Sequence, residues 1–126
     1  MKGGVHIAKK ILIVDDEPDL IKVTTFRLRK MGYDVIAGTD GEQALSLIES
    51  ERPDLVLLDL RLPKIDGLDV CKRVKADPKL KDIPIILFTA STNDINENVK
   101  TCGANGYLIK PFNSEQLAAE LKKFLG

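Results

Sequence analysis

One histidine, two cysteines and no excess of either charge are what 126 residues offer, and each shortage removes a class of function. His6, the sole histidine, stands ahead of the first apolar run, which rules out a Ser-His-Asp triad and any metal site built on several histidines. Cys71 and Cys102 lie far apart in the sequence, each at an apolar position of a predicted helix. They read as buried reduced thiols rather than a disulfide or a metal pair. Lys plus Arg number 19 and Asp plus Glu 19, so no overall field draws the chain to nucleic acid or an anionic membrane, and direct nucleic-acid binding is not expected. The longest apolar runs, such as Ile11 to Val14 and Leu55 to Leu58, fall far short of the ~20 residues that span a bilayer. Residues 1–8 lack the apolar stretch of a secretion signal and read as a loose leader before one domain over 9–126, so a cytoplasmic protein is expected. No G-x-G-x-x-G or G-x-x-x-x-G-K-[ST] follows an apolar run, which removes dinucleotide and P-loop binding.

What is present is the material of one folded domain: 44% hydrophobic residues against 30% charged, too apolar and too balanced for disorder. Ile11-Leu12-Ile13-Val14 and Leu55-Val56-Leu57-Leu58 are continuous branched runs bounded by charge, the form of strands covered on both faces. Ile85 to Phe88 reads alike behind Pro84, and Val35 to Ala37 and Tyr107 to Ile109 are shorter versions. Between them the period becomes helical. Leu20, Val23, Thr24, Leu28 and Met31 form one face, begun by Pro18 and stopped by Gly32, and Ala44, Leu45 and Ile48 form another. Gly67, Val70, Cys71 and Val74 make a third stripe, and Leu117, Leu121, Phe124 and Leu125 the last. Thr39 before Glu42 and Asn113 before Gln116 have the spacing of capping boxes. The weakest helix runs from Asn93 to Thr101, where Ile95, Val99 and Cys102 keep the period among three asparagines. Strict alternation with crossovers of one hand predicts an α/β fold, a parallel sheet between two layers of helices.

In such a sheet ligands bind beyond the carboxyl ends of the strands, so the residues ending each run matter most. These are Asp15 and Asp16, Asp59, Thr89 and Lys110. Each has an ordinary role as well: Asp15 or Asp16 as a cap for the Pro18 helix, Asp59 as a turn acid, Thr89 as a strand residue, Lys110 as a solvated lysine. Their joint appearance at one crevice is different. Two carboxylates ~4 Å apart repel by about 4 kcal/mol at an effective dielectric near 20, so positive charge must accompany them. Lys110 supplies one unit, and the remainder suits a hard divalent cation with oxygen ligands, as Mg²⁺ is. An oxygen-only site with a hydroxyl and an ammonium is equipped for phosphoryl transfer, and a carboxylate would serve as the acceptor.

At these residues the chain resembles the receiver domain of two-component response regulators, the CheY-like family. Ile11-Leu12-Ile13-Val14-Asp15-Asp16-Glu17-Pro18 is similar to the family's opening strand and acidic pair, and Asp54-Leu55-Val56-Leu57-Leu58-Asp59 to the strand ending in its phosphoacceptor. Leu62-Pro63-Lys64-Ile65-Asp66-Gly67 resembles its Met-Pro-x-x-Asp-Gly loop, with leucine for methionine. Gly103-Ala104-Asn105-Gly106-Tyr107-Leu108-Ile109-Lys110-Pro111-Phe112 resembles its closing signature.

The resemblance implies a flavodoxin-like sheet of order 2-1-3-4-5 with helices on both faces. It implies that Asp59 accepts phosphate from a histidine kinase or phosphotransfer protein. Mg²⁺ would be held by Asp16, Asp59 and the backbone carbonyl of Arg61, with Asp15 assisting through water. Thr89 and Lys110 would bind phosphoryl oxygens, Lys110-Pro111 would be a cis bond, and Thr89 and Tyr107 would form the switch. The domain would promote its own phosphorylation and dephosphorylation without being an enzyme for another substrate. Its output face would be the fourth helix, fifth strand and fifth helix, offered to a downstream protein or a missing effector domain by a monomer or weak dimer. Arg61 is equally suited to reach the phosphoryl group or to face solvent. The alternative is a small Mg²⁺-dependent phosphohydrolase of the haloacid dehalogenase kind. That nucleophile needs a second acid two residues on, where Arg61 stands.

Overall fold

The computed structural model describes residues 8–90 and 95–126. His6 and the expected helix start at Asn93 lie outside the described residues. Each branched apolar run forms a strand. β1 (Lys10–Val14), β2 (Asp34–Gly38), β3 (Leu55–Asp59), β4 (Ile85–Thr89) and β5 (Gly106–Ile109) alternate with α1 (Pro18–Lys30), α2 (Gly41–Glu51), α3 (Gly67–Ala76), α4 (Ile95–Cys102) and α5 (Ser114–Leu125). Every pairing is parallel, in the expected order β2-β1-β3-β4-β5. Among the described residues no helix is long and apolar enough to cross a membrane.

Side chains alternate across a strand, so residue parity decides which helical layer each one meets. Leu12, Val14, Val56, Leu58, Ile85 and Leu87 pack with Ala44 and Ile48 of α2, Val70, Cys71 and Val74 of α3, and Cys102 of α4. The opposite parity, Ile11, Ile13, Leu55, Leu57, Ile86 and Phe88, packs with Leu28 of α1 and with Leu117 and Leu121 of α5. Because both faces of the three inner strands are covered, their runs are unbroken rather than alternating.

Two local expectations are corrected. The buried stripe of α1 is Thr24 and Leu28, with Leu20 and Met31 partly covered, and Val23 is not on it. Val23 sits one position, about 100°, off that line and is 47% exposed beside Phe26, whose ring lies under the Lys30 ammonium. The cap of α2 is shifted by one residue from Thr39 and Glu42: Asp40 accepts from the Gln43 N–H, and Gln43 Oε1 accepts from the Thr39 N–H. The α5 capping box is Asn113 with Gln116, as expected.

Candidate functional site

Parity and register bring the acids together before any side chain is considered. β1 pairs with β3 so that Val14 lies beside Leu58, and the next residues in that register are Asp15 and Asp59. Both continue the parity of Ile13 and Leu57, so their carboxylates leave the sheet on the same side, at its carboxyl edge. Lys110, immediately after β5, keeps the parity of Leu108 and reaches back across β4. Its ammonium lies 2.7 Å from Asp15 Oδ2 and 3.3 Å from Asp59 Oδ2. Asp16, exposed on the same loop, completes a group of three carboxylates whose oxygens lie within 4.8 Å of one another. Asp15 and Asp16 do not cap α1: Glu17 holds the cap position without a side-chain bond, and Asp15 Oδ1 accepts from the Glu17 N–H at 2.8 Å.

Burial makes this arrangement consequential. Asp15 is completely buried and Asp59 is 7% exposed. Loss of water and the neighbouring Asp15 charge push the Asp59 carboxyl up to about 6, against the opposing effects of Lys110 and of the Arg61 N–H that it accepts. Burial works against the Lys110 ammonium, yet the Asp15 hydrogen bond and the Asp59 field prevail and raise it above the usual lysine value. The ammonium also lies over the Phe88 ring at 4.9 Å, and Phe88 meets Phe112 edge to face. The Lys110–Pro111 peptide is cis, as the resemblance implies.

Asp59, Thr89 and Lys110 share a cleft of about 290 Å³ with Asp16, Glu17, Arg61 and Ala90. Thr89 ends β4, whose C-terminal carbonyl accepts from the Lys110 N–H at 2.8 Å, so backbone pairing ties the two positions to one edge. Arg61 lies on the cleft wall, its N–H bonded to Asp59 Oδ1 at 3.2 Å. The floor behind Asp59 is closed by Gly67, the first residue of α3: a Cβ there would overlap the Asp59 carbonyl oxygen. Tyr107 is brought to β5 but not into this cleft; it is 38% exposed on the outer edge of the sheet. An all-oxygen donor set of three clustered carboxylates suits a hard divalent cation such as Mg²⁺.

Two contributors were not legible as site residues. Glu17 brings a third carboxylate within 3.7 Å of Lys110, its signal being continuity with Asp15 and Asp16. Phe88 carries the ammonium from below, and only its parity, opposite to that of Thr89, could have marked it. The cysteines are free and buried as expected, but far apart only in sequence: Cys71 of α3 donates to the Cys102 carbonyl at 3.4 Å.

The sequence profile described as the response regulator receiver domain matches residues 11–122. The alkaline phosphatase synthesis transcriptional regulatory protein PhoP of Bacillus subtilis is 40% identical over 118 residues, which is 93% of this chain and 48% of that protein. The chain spans about half the length of the curated relatives it matches. Among solved structures, the chemotaxis response regulator CheY4 of Vibrio cholerae superposes with a TM-score of 0.87 at 32% identity, covering 94% of this chain and 100% of that one. The receiver domain of a Pseudomonas aeruginosa sensor histidine kinase, determined with a magnesium ion in its active-site cleft, gives a TM-score of 0.86 at 36% identity, covering 94% of this chain and 98% of that one.

Proposed function

The chain belongs to the response regulator receiver domain family of two-component signalling, and from that premise we propose that it is a phosphorylation-dependent switch whose phosphoacceptor is Asp59. The observation that carries the reading is the Lys110 ammonium held between Asp15 and Asp59 at the carboxyl edge, with Asp16 alongside. The phosphoryl donor is a phosphohistidine of a histidine kinase or phosphotransfer protein. An Asp59 carboxylate oxygen attacks phosphorus in line, the new O–P bond forms, and the P–N bond breaks as the imidazole leaves.

The chain's own groups divide the work. With its carboxyl near 6, Asp59 is mostly ionised at neutral pH and so available as a nucleophile. Lys110, already 3.3 Å from Asp59, pairs with one phosphoryl oxygen, and the Thr89 hydroxyl bonds another. Asp16, Asp59 and the Arg61 carbonyl would hold Mg²⁺, with Asp15 assisting. When bound, Mg²⁺ supplies charge neutralisation for the phosphoryl oxygens. Ala90 beside Thr89 leaves the mouth of the cleft open to a donor or to hydrolytic water.

Movement of Thr89 toward the phosphoryl group frees space into which the Tyr107 ring turns, changing the face made by α4, β5 and α5. Exposure of Tyr107 on β5 supports an outward resting position. That face addresses a downstream protein or an effector domain, in the cytoplasm, from a domain of residues 9–126. Incubation with acetyl phosphate and Mg²⁺ tests the reading: the wild-type chain gains an acid- and base-sensitive phosphoryl label and Asp59→Asn does not. Equal labelling of both would refute the assignment.

A further inference from the structure

We propose that Cys71 and Cys102 close an intramolecular disulfide that staples α4 to α3 when a peroxide reaches them. Their separation of 31 positions hides a direct contact. Cys71 lies on the buried stripe of α3, Cys102 is the last residue of α4, and both belong to the same core layer. The Cys71 thiol donates to the Cys102 carbonyl at 3.4 Å, while the Cys102 thiol turns back toward the Val99 carbonyl at 3.9 Å. With the Cys71 sulfur already against its partner's backbone, the proposed cross-link forms by rearrangement local to the two side chains and the end of α4.

The pair is chemically asymmetric. A hydrogen bond from the Cys71 thiol to the Cys102 side chain, with burial, pushes the Cys71 thiol up. The same donated bond, opposed by burial and helped by the Ala104 N–H, brings Cys102 down to about 6. Cys102, at the less firmly held end of α4 and the less buried of the two, is the attacking thiolate, and Cys71, sealed in the stripe of α3, is the resolving thiol. The Cys102 thiolate attacks one oxygen of hydrogen peroxide; an S–O bond forms, the O–O bond breaks, and the released hydroxide takes up a proton to become water. The Cys71 sulfur then attacks the sulfenic sulfur. As the S–S bond forms, the S–O bond breaks and the hydroxyl leaves with the Cys71 proton as a second water. Two electrons pass from the sulfurs to the peroxide.

Access is through motion of α4. Cys71 is fully buried and Cys102 is 3% exposed, so the oxidant enters when the last turn of α4 lifts. Of its eight residues α4 buries only Ile95 and Cys102, against four buried residues in α3, which makes α4 the less firmly held partner. Once formed, the bond fixes the C-terminal end of α4 against α3 until a thiol reductant opens it. The inference does not depend on phosphoryl transfer.

The test exposes the full chain to hydrogen peroxide in EDTA buffer. Thiols are counted after denaturation, and intact mass, peptide linkage, Tm and amide exchange are recorded. The expected result is loss of both thiols together, a mass lower by two hydrogen atoms and a Cys71–Cys102 linked peptide. Slower exchange across α4 and a Tm raised by about 5 °C or more should accompany it, and dithiothreitol should reverse every change. In Cys71→Ala the Cys102 sulfenic acid should be trapped by dimedone, and in Cys102→Ser the Cys71 thiol should persist. Survival of both wild-type thiols, linkage between chains instead of within one, or a cross-link that leaves α4 exchange unchanged overturns the proposal. The wild-type arm decides alone if either variant fails to fold.

Discussion

Replacing Asp59 by asparagine should stabilise the metal-free chain, and by an amount that grows with pH. The Asp59 carboxyl stands near 6 in the folded chain against 3.8 unfolded, because burial and the Asp15 charge disfavour its ionised form. A raised carboxyl means that the folded state holds this proton more tightly than the unfolded one. The penalty is therefore absent below 3.8, builds as pH climbs through the interval to about 6, and is complete above it. At about 1.36 kcal/mol per unit, the full penalty is about 3 kcal/mol, of which linkage places on the order of 1 kcal/mol between pH ~5 and ~7.5. Asparagine keeps the shape without the charge, and Lys110 retains Asp15 at 2.7 Å. Urea unfolding in EDTA at those two pH values measures the effect. Relative to the variant, wild type should lose on the order of 1 kcal/mol on going to the higher pH, a midpoint displacement on the order of 0.5–1 M. A difference between the proteins that does not change with pH, or that favours wild type as pH rises, would refute the electrostatic account of the cluster.

Lys110→Met should cost about 3 kcal/mol or more in the same urea assay, because the buried Asp15 carboxylate loses the ammonium that pairs with it; adding Asp59→Asn to that variant should recover more stability than it does in wild type. Gly67→Ala should cost at least about 2 kcal/mol, since its methyl group overlaps the Asp59 carbonyl oxygen at a backbone that cannot yield without moving the cleft; a loss within 0.5 kcal/mol, on the order expected for surface sites, would contradict the packing. Millimolar MgCl₂ should raise the wild-type Tm, with Asp16→Asn showing a much smaller rise in the same thermal melts.

The pieces legible in the sequence were those governed by short-range rules. Branched runs ending in Asp15, Asp59, Thr89 and Lys110 identify strand ends, and a parallel sheet places strand ends on one edge, so their convergence follows from pattern alone. Two misreadings and one contact the sequence does not announce share a different origin. Thr39 with Glu42 and Asp40 with Gln43 fit the same capping spacing, and the frame is chosen by where β2 stops, at Gly38. Val23 fits a broad apolar face of α1, but the width of the face actually covered is set by the layer beneath it. The contact of Cys71 with Cys102 depends on how α3 packs against α4, which no local period encodes. Glu17 and Phe88 were missed as site residues because their roles exist only relative to Lys110, which arrives from the far end of the chain.

Net neutrality of the whole chain and a deficit of positive charge at one edge are compatible because the fold sorts charge by place. Three carboxylates, Asp15, Asp16 and Asp59, face one ammonium, that of Lys110, within 3.3 Å of two of them, so the group holds two more acids than bases; the Glu17 carboxylate, 68% exposed at 3.7 Å from Lys110, stands outside it in water. A further lysine would cancel one unit and occupy space with its stem. A small divalent cation cancels both and leaves coordination positions free for oxygens of an incoming group. The excess of two is thus matched to one doubly charged ion, and the stability lost at Asp59 in the metal-free chain is the measure of how far the site is prepared in advance for it.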